Sequence, residues 1–388
     1  GRKDEELPEI TSRICGVCPV VHNLTGFRAL ENAYNLQPDE ISVLLRKLMM
    51  LGQLINSHAL HLFFFSLSDF FGFKSDLELI NAYPEKTHDA LKIRDVGNKI
   101  IETIGGRSVP PLTPSLGGLR KPPDSEKLKE LLNDCKKILP LTVNLGKLFI
   151  NLKYPDFSRK TSYVSLTQPK EYAIYDGMVK IDRLTMKPHE FLMMVKEYQG
   201  PDKVAKRTKF AAKPYMVGAL ARLNNNWEKL NPEAGKLLEK SPLKFLASPT
   251  RLDSAKRAGG PCYNPFYNIL AQAIELVFCF EESIKLLELL FTGEIKLKEP
   301  KFTTRTGEGI GAIEAPRGTL FYSVKLKDGI IENVNIVTPT AQNLANLEAD
   351  LEEFEHIVGF KDLNREQRAD KVKMLIRAYD PCVTCSVH

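Results

Sequence analysis

The sequence lacks the features that would identify several classes of protein. It has no run of about 20 apolar residues free of charge, so no membrane-spanning helix is predicted. Lys and Arg number 54 against 48 Asp and Glu, an excess too small for a nucleic-acid-binding surface. The basic run Lys203–Lys213 favours a solvated loop or helix face over a binding patch. Gly307, Gly309 and Gly311 have the wrong spacing for a dinucleotide-binding turn.

Cysteine is scarce, with seven in 388 residues, and the odd number argues against a disulfide framework. Four of the seven form two Cys-x-x-Cys pairs, Cys15 with Cys18 and Cys382 with Cys385. Such pairs are typical of metal or redox chemistry in a reducing compartment. With 43% hydrophobic residues, the chain is long enough to bury a sizeable core around such a site.

Hydrophobic periodicity predicts a mainly helical chain with small β pieces, which is an α+β fold class. Four segments carry apolar residues at helical spacing: 19–35, 38–68, 125–153 and 264–292. Two segments alternate in the manner of strands: 161–182 and 319–340. Asp328-Gly329 fits a hairpin turn within the second of these. Gly105–Pro123 is so rich in glycine and proline that it is predicted to be a loop.

The two cysteine pairs are suited to binding metal. A Cys-x-x-Cys turn brings two sulfur atoms to one side of the backbone, so both can bind one ion. Pro19 places Cys15 and Cys18 at a helix N-terminus, where free N–H groups and the helix dipole favour thiolates. His22 follows Cys18 by four residues on the same helical face, so its ring can donate to that sulfur without being a ligand.

Spacing alone leaves the kind of site open. A structural zinc site of four cysteines is as good an interpretation as a catalytic centre, whereas thioredoxin-like chemistry needs only one pair on a βαβ unit. The placement of the pairs favours a catalytic centre. A zinc knuckle usually takes its ligands from within a few tens of residues, but these pairs lie nearly a whole chain apart. The arrangement would tie both ends of a large protein around one buried centre.

These runs resemble the two signature ends of the large, catalytic subunit of nickel–iron hydrogenases. The end motifs are Arg13-x-Cys15-Gly-x-Cys18-x-x-x-His22 and Asp380-Pro-Cys382-x-x-Cys385-x-x-His388. Four internal runs extend the resemblance: Ser57-His58-Ala59-Leu60-His61 with Asp69, Gly105-Gly106-Arg107, Glu314-Ala315-Pro316-Arg317-Gly318, and Thr338-Pro339-Thr340-Ala341-Gln342-Asn343-Leu344. Together they cover essentially all of 1–388, which implies one large-subunit domain with a central helical bundle.

The C-terminal sequence and the run 338–345 are most similar to the soluble, cytoplasmic branch of that family. This branch includes sulfhydrogenases and enzymes linked to NAD(P), deazaflavin or heterodisulfide reductases. The resemblance therefore implies a cytoplasmic protein.

The resemblance implies a set of metal ligands. Cys15 and Cys382 would be terminal ligands of nickel. Cys18 and Cys385 would bridge nickel to an iron ion that carries carbon monoxide and cyanide. Soft sulfur ligands suit both metals.

Other residues would surround this centre. Arg317 would lie over the open coordination position and donate to a cyanide, with Asp69 and Asp380 pairing with its guanidinium. Thr340 would give a second hydrogen bond. Three further residues would complete these surroundings: His22, Pro316 and Pro339.

A second ion is implied near the C-terminus. His388 and the backbone carbonyl of Leu344 would bind magnesium or iron, and a maturation protease would cleave after His388 once the metals are loaded. His58 and His61, three apart on an apolar helix, would be buried neighbours of the centre rather than a metal-binding pair.

Three features depart from the family pattern. The family's N-terminal strand region, which carries a proton-gate glutamate and another that binds the extra metal, would precede Gly1, so those roles are assigned to no residue here. Pro110 stands where the Gly-Gly-Arg loop usually has a histidine. Cys135, Cys262 and Cys279 match no motif and are predicted to be ordinary buried cysteines.

The predicted reaction is reversible heterolytic cleavage of dihydrogen, with the metals as Lewis acids and a nearby base accepting the proton. The thiolate of Cys382 is preferred to Arg317, because a guanidine with a pKa above about 12 is a poor base. No other cysteine cluster suits an iron–sulfur centre. An iron–sulfur small subunit is therefore predicted to carry electrons to a flavin and NAD(P), deazaflavin or heterodisulfide reductase module.

Two alternatives come from other classes. A metal-free quinone-reductase subunit of respiratory complexes would share the fold, but retention of all four cysteines argues against it. A zinc-stabilised scaffold would need the cysteines but not the Ala-Pro-Arg-Gly loop of 315–318. Metal analysis would distinguish the three proteins. Nickel with iron would support the hydrogenase, zinc alone the scaffold, and no metal the quinone-reductase subunit.

Overall fold

The computed structural model describes residues 1–247, 260–298, 300, 305–357 and 359–387. Its α-helices are α1 Leu7–Thr11, α2 Pro19–Ala33, α3 Glu40–His61, α4 Leu67–Phe71, α5 Asp76–Ala82, α6 Pro84–Gly105, α7 Ser125–Ile150, α8 Pro188–Met194, α9 Ala219–Asn226, α10 Pro232–Lys240, α11 Tyr267–Leu290, α12 Pro339–Phe354, α13 Arg365–Ala378 and α14 Val383–Ser386. Short 3₁₀ turns lie at Asp4–Glu6, Trp227–Lys229 and Lys244–Ala247.

The strands are short except for the last three. They are β1 Pro114–Ser115, β2 Gly118–Leu119, β3 Ser162–Thr167, β4 Met178–Ile181, β5 Leu184–Met186, β6 Val195–Gln199, β7 Lys206–Phe210, β8 Tyr215–Met216, β9 Gly307–Ala315, β10 Gly318–Lys327 and β11 Ile330–Val337. The mainly helical α+β class predicted from periodicity is confirmed.

Long helices form the centre of the molecule. α3 packs against α6 and α11, and α11 also packs against α7, α9 and α10. Both α3 and α11 are apolar on nearly all sides, as expected for helices surrounded by protein. The run Glu40–Phe71 has the length and hydropathy of a membrane span, but 78% of its most apolar window is buried inside the protein. Burial in a protein core accounts for that composition.

The predicted helix 38–68 contains a π-helical turn. α3 ends at His61, Leu62–Ser66 forms the π turn, and α4 continues the same run. Because a π turn inserts an extra residue, it changes the face on which later side chains lie. Asp69, beyond the turn, therefore does not share the face that a continuous α-helix would give it.

A three-stranded antiparallel sheet in the order β11-β10-β9 carries the central functional loop. Asp328 and Gly329 both have positive φ, 51° and 76°, and form the predicted hairpin turn between β10 and β11. Ala315 pairs with Gly318, so Pro316-Arg317 is the two-residue turn between β9 and β10. Arg317 is thus presented at the tip of a tight hairpin.

Three glycines bring β9 against α2. A Cβ atom on Gly309 would lie 2.2 Å from the carbonyl oxygen of Ala29, and one on Gly311 would lie 2.4 Å from that of Thr25. Gly307 makes the same kind of approach to Ala33. The glycines that do not fit a dinucleotide-binding turn therefore allow a helix backbone to contact a strand.

A smaller apolar cluster lies under the sheet β5-β4-β3-β8 and the hairpin β6-β7. Phe191 stacks on Phe210 and Phe321, which joins this cluster to β10. The interpretation of Lys203–Lys213 as a loop or helix face is wrong for its centre, because Lys206–Phe210 is strand β7. Its Arg207 is buried and binds Asp202 and Glu348.

Candidate metal centre

Four thiols from distant parts of the chain meet at one buried place. Sγ of Cys15 lies 3.6 Å from Sγ of Cys382, and Sγ of Cys18 lies 3.8 Å from Sγ of Cys385. All four are free thiols that are at most 8% exposed. The predicted meeting of the two Cys-x-x-Cys pairs is what the geometry shows.

The first pair is held where a helix begins. Cys18 is the N-cap of α2, and Pro19 is its first residue. The N–H of Val17 points at Sγ of Cys15 over 3.4 Å. Gln53 on α3 binds this turn on both sides, because its amide donates to the Val17 carbonyl at 2.6 Å and accepts from the Val20 N–H at 3.1 Å. The side chain of Gln53 replaces hydrogen bonds that the start of a helix lacks.

The second pair, Cys382 and Cys385, lies at the single helical turn α14. Cys382 is its N-cap, and its N–H donates to Oγ1 of Thr340 at 3.3 Å. Thr338, the N-cap of α12, donates its hydroxyl to the Cys385 carbonyl at 2.6 Å. Two threonines at the start of α12 therefore fix the backbone on both sides of α14.

Shared hydrogen bonds separate the pKa values of Cys15, Cys18 and Cys385. Hydrogen bonds from Cys18, Cys382 and Cys385 lower the pKa of Cys15 far below its usual value. The hydrogen bond with Cys15 raises the pKa of Cys18 and of Cys385, and burial adds to the rise. Negative charge is thus favoured on Cys15 and disfavoured on Cys18 and Cys385. A metal cation at the same place displaces the thiol protons.

Arg317 extends from its hairpin turn towards this cluster. Its Nε donates to the Asp380 carbonyl at 2.6 Å, and its Nη2 donates to Oδ1 of Asp380 at 2.7 Å. Its Nη1 makes a long contact of 3.5 Å with Oγ of Ser57. A guanidinium has five N–H groups, so two stay available to a ligand. Burial opposes the charge, but Asp380 and the sulfur of Cys382 raise the pKa of Arg317, which therefore stays protonated.

Asp380 is held in an unusual backbone conformation. Its φ of 50° lies in the left-handed region, and Pro381 follows it. Aspartate tolerates this region better than most residues, but a following proline restricts it further. The side chain accepts from Arg317 and, through Oδ2, from Nε2 of Gln272 at 3.1 Å. Backbone strain is thus retained where the loop meets the thiols.

One predicted contact needs correction and another gains a partner. Asp69 does not pair with Arg317, because its carboxylate accepts from Arg377 on α13. The π turn moves Asp69 off the face of α3 that meets Arg317, and Ser57 occupies that position. His22 is expected from spacing to donate to Cys18, and the structure adds a different partner: its Nε2 lies 3.7 Å from Sγ of Cys385.

The other candidate residues lie as follows. His58 and His61 are buried and bind Glu275 at 2.9 Å and Gln272 at 2.5 Å, as expected for neighbours that are not a metal-binding pair. His388 lies outside the described residues, so the ion predicted between it and Leu344 stays a prediction. The Pro110 carbonyl accepts from Nε of Arg107 at 3.0 Å. The three remaining cysteines are buried, as predicted: Cys135, Cys262 and Cys279.

Nickel and iron fit this donor set. The sulfur atoms of Cys15, Cys382 and Cys385 lie within 4.8 Å of one another, close enough to share one ion. A small pocket adjoins Cys18 and Cys385 but neither of the other two thiols. Its remaining walls are His22, Ala315, Pro316, Arg317, Leu320, Pro339 and Thr340. Apolar walls with a few hydrogen-bonding groups suit small uncharged or anionic ligands on a metal.

Several residues of the centre were not predicted. Gln53 and Ser57 lie four apart on α3, and Ser57 begins a run already singled out. Tyr322 on β10 approaches His22, with its hydroxyl 2.6 Å from Nδ1. Oγ1 of Thr384 lies 3.3 Å from Sγ of Cys382. The i,i+4 spacing of Gln53 and Ser57 could have indicated a common face, whereas Tyr322 carries no local signal.

Comparison with known proteins agrees with this geometry. The sequence profile of the nickel-dependent hydrogenases matches residues 1–101 and 168–388. The alpha subunit of sulfhydrogenase 1 from Pyrococcus furiosus is 33% identical over 394 residues, which cover all of this chain and 87% of that protein. A chain of the vhc F420-non-reducing hydrogenase from Methanococcus voltae is 29% identical over 420 residues, covering all of this chain and 85% of the relative.

A solved structure also shares the fold. The NAD+-reducing nickel–iron hydrogenase in its H2-reduced state superposes with a TM-score of 0.84. The alignment covers all of this chain and 89% of that one, at 23% sequence identity.

Proposed function

The chain belongs to the nickel-dependent hydrogenase family, and we propose that its four clustered thiols hold a nickel–iron centre for reversible cleavage of dihydrogen. Bound nickel and iron would supply the Lewis acidity that polarises dihydrogen. The observation that carries the proposal is the meeting of both cysteine pairs beside Arg317. A zinc scaffold gains nothing from a buried guanidinium with two free N–H groups.

The position of the pocket supports different ligand roles for different thiols. Cys18 and Cys385 border it, so they are the pair proposed to bridge to iron, whose ligands the pocket would hold. Cys15 and Cys382 lie outside it and are proposed as terminal nickel ligands. Arg317 and Thr340 border the same pocket and can donate hydrogen bonds to carbon monoxide and cyanide there.

The base that takes the proton is proposed to be Cys382. Arg317 is unsuited, because its raised pKa keeps it protonated. Cys382 is 8% exposed, which makes it the most exposed of the four cysteines. Thr384 offers a hydroxyl next to that sulfur.

Electrons must leave to a partner. No further cysteine cluster occurs in the sequence, so we propose a small iron–sulfur subunit followed by a reductase module with a soluble acceptor in the cytoplasm. The sulfhydrogenase relative is named as an alpha chain among several, which supports a multi-subunit enzyme. One structural neighbour reduces NAD+, and we propose a nicotinamide, deazaflavin or heterodisulfide acceptor here.

Metal analysis combined with infrared spectroscopy tests the proposal. The purified complex should contain nickel and iron bound to this chain, and it should absorb where carbon monoxide and cyanide on iron absorb and protein does not. Zinc as the sole bound metal, or nickel and iron without those bands, would overturn the proposed centre. A Cys18→Ser variant should lose the bands, whereas Cys279→Ser, which alters a buried cysteine elsewhere, should keep them.

A further inference from the structure

A second buried arginine holds the turn that carries Arg317. Arg222 lies on α9 with its side chain fully buried. Its Nη1 donates to the Ala315 carbonyl at 2.9 Å, and its Nη2 donates to the Pro316 carbonyl at 3.1 Å. These are the two carbonyls that precede Arg317 along the chain. Arg222 thus binds the backbone of the turn and not the thiols.

The remaining donors of Arg222 are fixed by two buried carboxylates. Nε and Nη2 donate to the two oxygens of Glu275 on α11, both at 2.7 Å. Nη1 also donates to Oε2 of Glu314 on β9 at 2.9 Å. All five N–H groups therefore have a partner, which locks the guanidinium in one orientation.

The carboxylates are in turn held by other elements. Glu275 accepts from the hydroxyl of Tyr172 at 2.6 Å and faces Nε2 of His58 at 2.9 Å. Oε1 of Glu314 accepts from the Leu166 N–H and from Oγ1 of Thr319, both at 2.7 Å. The guanidinium is therefore connected to three helices and three strands. Such a connected polar network defines a position more tightly than apolar packing alone.

We infer that Arg222 is a positioning residue for hydrogen cleavage, which acts by setting the height and angle of the Pro316-Arg317 turn over the metal centre. The inference rests on the role proposed for Arg317. A misplacement of about 1 Å in a group that acts on reacting atoms can cost about a hundredfold in rate. A lysine at position 222 could bind one carboxylate but could not hold both carbonyls at once.

A double-mutant cycle tests the inference in the holoenzyme. The variants are Arg222→Lys, Arg317→Lys and the two combined, and the readouts are turnover with a redox dye, nickel and iron content, thermal midpoint and the infrared bands of the iron ligands. Arg222→Lys should keep both metals, lower kcat about tenfold or more, and shift the bands in the same direction as Arg317→Lys. In the Arg317→Lys background, it should change kcat by less than about twofold.

Arg46 provides a matched control. It is also fully buried, binds Glu31 through both Nη atoms, and donates to two backbone carbonyls, those of Ser115 and Gly118. Arg46→Lys should lower the thermal midpoint but leave the bands in place and kcat within about twofold of wild type. A merely structural role for Arg222 would give the same pattern.

The outcomes separate this inference from the proposed function. Wild-type turnover in Arg317→Lys overturns the role of Arg317 itself. If Arg317→Lys is slow while Arg222→Lys has wild-type turnover, only the positioning role is overturned. The same holds if Arg222→Lys lowers kcat by the same factor in the wild-type and Arg317→Lys backgrounds. If the Arg222→Lys protein is produced without bound nickel and iron, Glu314→Gln, which removes one of the carboxylate contacts, is measured in the same way. If both fail to load metal while Arg317→Lys succeeds, Arg222 serves folding and the inference is wrong.

Discussion

At the scale of single residues, an exposed hydroxyl lies next to one sulfur of the proposed metal centre. Oγ1 of Thr384 lies 3.3 Å from Sγ of Cys382, and the residue itself is exposed. A hydroxyl both donates and accepts, so it can receive a proton from the sulfur and pass another to water. Proton transfer through a positioned group of this kind contributes substantially to rate.

Thr384→Val keeps the shape of the side chain but removes the hydroxyl. We expect nickel and iron content to be unchanged, while turnover and the exchange of deuterium gas with water protons fall about tenfold or more. Ser386→Ala is the control, because its hydroxyl donates to the Val383 carbonyl and to no sulfur. Exchange at the wild-type rate in Thr384→Val would show that protons leave by another path.

A buried histidine couples folding to pH. Burial lowers the pKa of His58, and its hydrogen bond to Glu275 offsets only part of that effect. Nδ1 of His58 is buried and has no hydrogen-bond partner among the described residues, so a proton there would gain no bond from them in the folded protein. The folded chain therefore binds fewer protons at this site than the unfolded chain, whose histidine has a pKa near 6.5. The free energy of unfolding should fall as the pH drops below that value.

His58→Gln should remove this dependence. Between pH 6.5 and 5, we expect the slope of the unfolding free energy against pH to decrease by up to about 1 kcal/mol per pH unit relative to wild type. Glu275 does not interfere, because Arg222 overcomes the effect of burial and lowers its pKa to about 2, so its contribution is lost only below about pH 4.3. Denaturant titrations at several pH values provide the measurement, and parallel slopes would contradict the assignment.

The sequence predicted the residues that carry a local pattern and missed those that act over a distance. The spacing and placement of the two Cys-x-x-Cys pairs, Cys15 with Cys18 and Cys382 with Cys385, predicted that the four sulfur atoms lie together. Arg222 was missed, because an arginine in the middle of a short helix looks like any other, and its partners Glu275 and Glu314 lie 53 and 92 positions away. The assignment of Asp69 failed because no pattern in the apolar run revealed the π turn.

At the scale of elements, the contact of β9 with α2 aligns both halves of the centre. α2 begins at Pro19, directly after its N-cap Cys18, and carries His22, while β9 leads into the turn with Arg317. A side chain on the glycines of β9 would separate the two backbones. The contact therefore sets the distance between the first cysteine pair and the arginine.

Gly309→Ala should disrupt this contact. Its Cβ would lie 2.2 Å from the Ala29 carbonyl, and the helix must shift, with an expected loss of about 1–3 kcal/mol in stability and reduced turnover. Gly235→Ala in α10 is the control, because no heavy atom lies within 4 Å of the added Cβ. That variant should be as stable as wild type or more stable, since alanine favours helices. Thermal unfolding and dye-linked assays compare the two.

Helices were predicted correctly where the apolar periodicity continued over many consecutive residues. Three predicted helices match closely: 19–35 is α2, 125–153 is α7 and 264–292 is α11. The hairpin β6-β7 was missed, because both strands are mostly polar and the connection between them, 200–205, is longer than a two-residue hairpin turn. Its pairing depends on the apolar cluster around Phe191, which the sequence does not reveal.

At the scale of the whole molecule, the proposed metal centre would also be a cross-link. Cys15 and Cys382 are 367 positions apart, so metals bound to both close a loop of nearly the entire chain. A link of this kind lowers the entropy of the unfolded chain, by an amount that grows slowly with loop length. Bound metal should therefore stabilise the fold as well as catalyse.

Removal of the metals tests this. The metal-free protein should unfold at a lower temperature than the loaded protein, by several kcal/mol in free energy. The double variant Cys382→Ser, Cys385→Ser should unfold like the metal-free protein and gain nothing from added metal. Cys135→Ala, a buried cysteine distant from the centre in sequence, should keep both its metals and the stabilisation they give. Equal midpoints with and without metal would show that the centre does not tie the chain together.

The separation of the two pairs also orders events during translation. At about 5–20 residues per second, Cys382 leaves the ribosome roughly 20 to 70 s after Cys15. Throughout that interval, the nascent chain contains Cys15 and Cys18 without Cys382 and Cys385, the other half of the site. Assembly of the four-thiol site therefore ends with the arrival of α14, whatever the order in which the rest of the chain folds.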